Sequence, residues 1–438
     1  MAVINKRIMV DMSATLIHHG HVRLLREASK LGSVIVGLTT DEEIRRKKHY
    51  DPELAFEFRK EILESIKYVS EVVPTPWLID DDIIDQYAID FLVHGSDNTN
   101  SINPEKLTIF PRTAGVSSTD IRSRVQKAIT DINNQKLMLT PGPAAVLHEN
   151  IKYLKPLFGR GDDEFTTMAQ SVTDWIKALS GQDELIMAQG SATLALELAA
   201  HSFVSGKVLI VSTGYYSDRL EKLLPKGCQV TICVYENLED ISENFDWVLC
   251  AHTETSTAFK VNLESIKTKS DQIGAKLYVD ATGSIGLEDN HELADVMGFS
   301  SCKGLFGLTG ACFVAYKSQL KPKPLPNFYF NMETQKNKMV TGPYHAIASL
   351  YGVIDQHETL KSRVINSKNH VLAKWGQLAR DGNQPLLCTY LEGQVIPKDD
   401  NVVLYSPRSD NSGSVICHFG EIHCNEVNID ERINIVEC

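Results

Sequence analysis

The chain has 438 residues, and at roughly 150 residues per domain this length argues for two or three domains rather than one. Hydrophobic residues at 43% and charged residues at 23% are ordinary soluble usage and exclude a broadly disordered chain. A net charge of −12 with no basic block argues against nucleic-acid binding and against docking on an anionic membrane, yet leaves small phosphorylated ligands open.

The nine cysteines are scattered through the second half without a CxxC pair. That pattern predicts neither a zinc site nor a disulfide framework and fits a reducing compartment. No run reaches the roughly 18 apolar residues of a membrane span, and MAVINKRIMV does not read as a signal peptide, so the expected location is cytoplasmic.

In chain order, residues 1–133 read as an alternating α/β domain. KRIMVDM is a strand, HVRLLREASKLG a helix ending at Gly32, and SVIVGLTT a strand apolar enough to be buried on both faces. FRKEILESIKYV is predicted as a helix, EVVP and DFLVHG as strands, and SSTDIRSRVQKAI as a capped closing helix. After the polar link DINNQ, the alternation resumes over 137–345 with strands ELIMAQ, KVLIVST, QVTICVY, WVLCAH, KLYVDAT and GACFVAY. Residues 346–438 read as a small α+β lobe, with a helix over HAIASLYGVIDQHETLK and several short strands.

Two constellations carry chemistry. His18, Gly20 and His21 open the helix after the first strand, where free N–H groups and the helix dipole favour an anion. Two imidazoles at i and i+3 share one face there. Arg112, Thr113, Gly115, Ser117, Ser118, Thr119 and Arg122 cluster at the start of a later helix, another phosphate-binding position. With these motifs, residues 7–126 resemble small cytidylyltransferases of the glycerol-3-phosphate type, and more closely the cytidylyltransferase domain fused to phosphonate-biosynthesis mutases. The resemblance implies that His18 and His21 bind the phosphates of CTP, brought with Mg²⁺. It implies that Ser13, Arg112, Ser117, Ser118 and Thr119 hold the nucleotide, and that Lys47 or Lys48 and Arg59 face phosphates. Thr15 stands where that family has Asp, and GSDN (95–98) replaces its GxDW.

The second constellation needs a lysine, an acid, an aromatic and a phosphate cup, the four parts of a pyridoxal phosphate site. Asp280 ends the strand KLYVD, Lys303 lies in SSCKG, Ser191, Ala192 and Thr193 open a helix after ELIMAQ, and Tyr216 follows KVLIVST. The stretches LTPGP (139–143), DDEF (162–165), QGSAT (189–193), TGYYSDR (213–219), HTETST (252–257), VDATGS (279–284), SSCKG (300–304) and TGP (341–343) resemble fold-type I, class V aminotransferases, and most closely 2-aminoethylphosphonate–pyruvate transaminases. The resemblance implies pyridoxal 5'-phosphate on Lys303 and Asp280 at the pyridine nitrogen. Tyr216 would lie on the ring, Ser191, Ala192 and Thr193 at the phosphate and Thr255 near the 3′-oxygen, while Thr341 would reach across a homodimer. The match fades after about 350, and Val415 occupies the position of the family's carboxylate-binding Arg, leaving Arg219, Lys338 or Arg408 as substitutes.

The leading expectation is one chain with two enzymes. A transaminase would use an amino-acid donor on a phosphonate, and a cytidylyltransferase would join CMP to the product. Two alternatives stand beside it: the same pair acting on dihydroxyacetone phosphate and its amino derivative, or a transaminase with a non-catalytic CTP-sensing first domain.

Overall fold

Short apolar strands alternating with helices build two large, separate sheets, with smaller two-stranded pairs beside them. The computed structural model describes the chain apart from residues 1–5, 49, 97, 112, 114, 134–135, 144–145, 156–157, 160, 338, 381, 409–411, 420–428 and 438. It divides into two units, Met1–Ala128 and Ile129–Cys438.

In the first unit the strands Arg7–Met12, Ser33–Thr39, Val69–Thr75, Phe91–Gly95 and Leu107–Phe110 form a parallel sheet in the spatial order third, second, first, fourth, fifth. Alternate residues of the first strand serve opposite cores: Ile8 and Val10 join one cluster and Met9 the other. That two-sided burial is why these strands read as unbroken apolar runs. Strand order reverses between the first and fourth strands, so their carboxyl ends open a crevice, the usual ligand position in such sheets. The predicted helix over 58–69 is instead Phe56–Glu64, because the chain turns at Ser65 and is already paired as a strand at Val69. Leu107–Phe110, four residues long, was too short to register as a strand in the sequence pattern.

The second unit holds a seven-stranded sheet. Its order is Glu184–Gln189, Ala311–Tyr316, Val296–Ser300, Lys276–Asp280, Trp247–Ala251, Lys207–Ser212 and Gln229–Val234. Ala311–Tyr316 runs antiparallel to both neighbours, and the other pairs are parallel. The connection before it, 301–310, contains no helix, and a short link without a crossover joins antiparallel strands. Val296–Ser300 escaped the sequence pattern because Gly298 interrupts it. A Cβ there would sit 2.9 Å from Leu196 Cδ2 and 3.1 Å from Leu196 N, so the bare backbone lets the helix Ala192–Phe203 lie close on the sheet. Gly298→Ala is therefore expected to lower the unfolding free energy by about 1–3 kcal/mol, measured by urea denaturation.

The sheet is buried on both faces, with Leu209, Leu277 and Phe313 in one cluster and Ile210, Leu249 and Val314 in the other. The helix expected over 345–361 is two helices, Tyr344–Val353 and His357–Trp375, joined by a tighter turn at Ile354–Gln356. Apolar spacing does not separate the two helical pitches over three residues. The remaining strands pair in twos: Cys388–Leu391 with Ser414–Cys417, and Gly393–Pro397 with Ile433–Glu437. Val402–Leu404 pairs in parallel with Leu137–Leu139, so the first strand of this unit packs among its last elements. No helix among the described residues is long and apolar enough to cross a membrane.

Candidate active sites

The crevice of the first unit is a cavity of about 480 Å³ that gathers Ser13, His18, His21, Ser117, Ser118 and Thr119. His18 is the N-cap of the helix His19–Ala28, its extended backbone turning the ring back over the first N–H groups. Its Nδ1 accepts the Gly20 N–H at 3.2 Å, and His21 Nδ1 accepts the His18 N–H at 3.3 Å. With both Nδ1 atoms accepting, the neutral form of either imidazole has its proton on Nε2, the nitrogen through which it would donate to a ligand. The two rings stack with centroids 3.9 Å apart. Burial, and secondarily the neighbouring His18, lower the His21 pKa to about 4. Ser117 Oγ caps the next helix by accepting the Asp120 N–H at 3.0 Å, and Ser118 Oγ donates to Leu16 O at 3.3 Å.

Several expected residues are placed elsewhere. Arg59 does not face phosphate. It is fully buried, with its guanidinium donating to the carbonyls of Leu54, Ser13 and Thr39 and to Asp41, so every polar edge is spent on holding the loops around the sheet. Lys47 does not line the cavity; Lys48 does, with its Nζ 5.2 Å from the Trp77 ring centre. Arg122 turns to Thr15 Oγ1 at 2.9 Å, Tyr50 OH at 3.0 Å and Glu53. Thr15, in the position of the family's Asp, is thereby buried as an acceptor for Arg122. Arg112 lies outside the described residues. The sequence reading missed Asp11 and His94, which line the cavity with Nε2 of His94 3.6 Å from Asp11 Oδ2. Their signal was their position at or near the carboxyl ends of the two strands flanking the switch point.

The second cavity, about 570 Å³, lies at the carboxyl edge of the large sheet and gathers Lys303, Asp280, Tyr216, Arg219, Thr193 and Thr255, with Ser191 and Ala192 at its helix N-terminus. Lys303 rides on the 301–310 connection, where Phe306 N–H donates to Lys303 O at 2.8 Å and Gly307 N–H to Ser301 O at 2.8 Å. Its Nζ is 5.9 Å from the centre of the Tyr216 ring. Asp280, 4% exposed, accepts the Thr282 N–H at 2.9 Å through Oδ1, and its Oδ2 is 3.8 Å from Arg219 Nη2. Arg408 reaches the rim and donates to Tyr215 OH at 3.0 Å. Tyr405 also lines the cavity, its phenol held well above the ordinary range by burial and then by Tyr216. Tyr405 went unnoticed because it lies in the stretch where the motif match fades.

Val415 is buried on the strand Ser414–Cys417, opposite Tyr390, and offers no charge to the cavity. Thr341 is exposed and outside this cavity's lining, and Lys338 lies outside the described residues. The seven described cysteines are free thiols.

Four buried histidines and the half-buried His21 share one consequence. Burial is the leading cause that lowers His21 and His291 to about 4 and His418 to about 3, and it depresses His252 and His357 as well. The unfolded chain takes up protons near pH 6.5 that the native chain refuses, so stability present above that pH is lost on acidification towards pH 4. The urea midpoint is expected to fall between pH 7 and pH 5; a flat profile would contradict the burial of these rings.

Residues 14–124 match the Cytidylyltransferase-like family. Over 128 residues the chain is 35% identical to glycerol-3-phosphate cytidylyltransferase of Staphylococcus aureus, an overlap of 27% of this chain and 95% of that protein. Over 255 residues it is 28% identical to a 2-aminoethylphosphonate–pyruvate transaminase of Pseudomonas fluorescens, 50% of this chain and 68% of that protein. Among solved structures, pyridoxamine-pyruvate aminotransferase from Mesorhizobium loti has the same fold as the second unit. It superposes with a TM-score of 0.57 at 18% identity, covering 66% of this chain and 88% of that one.

Fold and site thus define a Rossmann-like nucleotidyltransferase domain followed by a fold-type I aminotransferase. Through residues 14–124 the chain belongs to the cytidylyltransferase-like family, and an aminotransferase is fused behind that domain.

The second cavity suits pyridoxal phosphate by its donor set: an amine at Lys303, a buried carboxylate at Asp280, an aromatic face at Tyr216 and a helix N-terminus at Ser191–Thr193. Three polar atoms in its wall, Thr253 Oγ1, Thr282 Oγ1 and Arg219 Nε, are buried without hydrogen-bond partners, as befits a cradle built for a polar guest.

Proposed function

We propose that the second unit exchanges an amino group between a small phosphonate-bearing amine or aldehyde and pyruvate or alanine, and that the first joins CMP from CTP to the phosphonate. The observation that carries this reading is the second cavity, which joins Lys303, Asp280 and Tyr216 while Val415 withdraws the carboxylate clamp. It leaves Arg219 and Arg408 as the guanidinium groups lining the cavity.

Pyridoxal phosphate, when bound, supplies an electron sink for the carbon that gains or loses the amine. Lys303 Nζ takes the substrate's Cα proton and returns it, Asp280 holds a proton on the ring nitrogen, and Tyr216 covers one face against water. Ser191, Ala192 and Thr193 would hold the phosphate with hydroxyl and N–H donors at the helix start, and Thr255 would lie near the ring oxygen. Arg408, already oriented by Tyr215, receives the anionic end of the substrate.

In the first unit an oxygen of the phosphonate attacks the α-phosphorus of CTP, forming one P–O bond while the α–β bond breaks and pyrophosphate leaves. His18 and His21 donate from Nε2 to the departing charge, and the helix beginning at Ser118 adds its N–H groups, with Lys48 alongside. Mg²⁺ arrives on the triphosphate, since this ion favours substrate phosphates over an all-protein cage.

A second reading keeps both steps and replaces the phosphonate by a phosphate ester, favoured by the likeness of the first unit to an enzyme named for glycerol-3-phosphate. Phosphorus NMR of the holoenzyme with CTP, Mg²⁺, pyruvate and 2-aminoethylphosphonate separates the two. The phosphonate reading expects pyrophosphate together with a coupled phosphonate–phosphate pair. An unchanged phosphonate signal, with turnover of dihydroxyacetone phosphate and alanine instead, would replace it by the ester.

A further inference from the structure

Beside the second cavity lies a carboxylate that touches none of the proposed reactants. Glu254 ends the short strand Thr253–Glu254 and is fully buried. Its Oε2 accepts the N–H groups of Tyr216 at 2.9 Å and Ser217 at 3.0 Å. Its Oε1 accepts the Ser256 N–H at 3.1 Å and the Ser256 hydroxyl at 2.5 Å. Ser256 Oγ in turn accepts the Tyr215 N–H at 3.2 Å. The first three N–H groups of the helix Tyr215–Arg219 therefore end on one buried acid, directly or through one hydroxyl.

We propose that Glu254 is a positioning residue that fixes Tyr216 and Arg219 against Lys303 and Asp280 by clamping the start of this helix. The inference rests on the amino-transfer reading above. A five-residue helix cannot hold its own direction, because nucleation is unfavourable and its few internal bonds do not offset that cost. Something outside must aim it, and Glu254 supplies the acceptors.

What the clamp aims is the working face of the cavity. The Tyr216 ring centre lies 5.9 Å from Lys303 Nζ, and the Arg219 guanidinium lies 5.1 Å from the same ring and 3.8 Å from Asp280 Oδ2. Arg219 Nε has no partner, so that side chain is placed by its backbone together with Asp280 and the Tyr216 ring. The approach of acid to helix also depends on Gly214, at φ +151°, where a Cβ would lie 2.8 Å from Ser256 Oγ and 2.9 Å from Glu254 Cγ. Burial holds the Glu254 carboxyl above the ordinary carboxylate range, and the donors from Ser256, Ser217 and Tyr216 oppose that rise.

Glu254→Gln tests the proposal, because it keeps the shape but turns an amide donor towards N–H donors. Three readouts are taken on the full chain: affinity for pyridoxal phosphate, visible circular dichroism of the bound cofactor, and steady-state kinetics. The expected result is about tenfold weaker cofactor binding, an altered dichroic band, and kcat reduced 10- to 100-fold with the substrate KM within about twofold. Glu254→Asp, which restores the charge on a shorter arm, is expected to recover part of kcat. Glu254→Gln with wild-type binding, dichroism and kcat would overturn the proposal. So would a lowered melting temperature of the apoprotein with all three readouts unchanged in the folded fraction.

Should Glu254→Gln fail to fold, Ser256→Ala decides. It cuts only the relay to Tyr215, and a shifted cofactor band supports the clamp while an unshifted one removes it. Failure of the wider reading looks different: the wild-type chain itself would bind no pyridoxal phosphate, and the positioning role would fall with it.

Discussion

Lys303→Ala is expected to abolish amino transfer, with kcat reduced by at least about 10³-fold, while pyrophosphate release from CTP with added amine continues. The size of the effect follows from the site. Asp280 is an acid tied to Arg219 and Thr282, and Tyr216 offers only a phenol, so neither replaces a primary amine that both takes and returns a proton. Loss of folding does not confuse the result. The 301–310 connection is held by backbone bonds of Ser301, Phe306 and Gly307 and by the Ser301 hydroxyl, none of which uses the lysine side chain. Lys303→Arg sharpens the test, since a guanidinium keeps the charge but does not give up its proton near neutrality. Substantial amino transfer by the arginine variant would mean that Lys303 acts through charge alone.

The second large effect is expected from His21→Ala: a 10²- to 10³-fold loss of CTP turnover with amino transfer unchanged. His21 combines two duties, accepting the His18 N–H through Nδ1 and offering Nε2–H to the cavity. Its neighbour has the same arrangement, with Nδ1 on Gly20 N–H, so loss of either imidazole removes one of two donors held ready for phosphate charge. Pyrophosphate release at saturating CTP is the measurement. An undiminished rate would leave the first unit as a nucleotide-binding module with its chemistry elsewhere.

The residues that were legible in sequence owed it to short-range order. His18 and His21 follow a strand and begin a helix, and Asp280 ends a strand, so the fold alone delivers them to a sheet edge. Arg59 shows the opposite case. In sequence it is one more cation near Lys47 and Lys48, and only the tertiary fold surrounds it with the carbonyls of Ser13, Thr39 and Leu54. One residue along a helix is about 100° around it, which is enough to send Lys48 to the cavity and Lys47 away. Glu254 was hidden in HTETST because its partners lie about forty residues earlier in the chain. The antiparallel course of Ala311–Tyr316 was equally silent, as strand direction is set by the connection and not by the strand's own composition.

The pairing of Leu137–Leu139 with Val402–Leu404 bears on how the molecule comes into being. Each strand runs on into a wall of the second cavity: Thr140–Pro143 follow the one, and Tyr405, Ser406 and Arg408 the other. On a ribosome these walls are made at opposite ends of the synthesis of this unit, the second of them long after the first sheet has all its strands. A nascent or truncated chain can therefore have a finished nucleotide crevice while its amino-transfer cavity is still open on one side. Closing that cavity takes a contact between distant parts of the chain, among the slowest kinds of contact to form. Cofactor capture should accordingly be the last event of maturation.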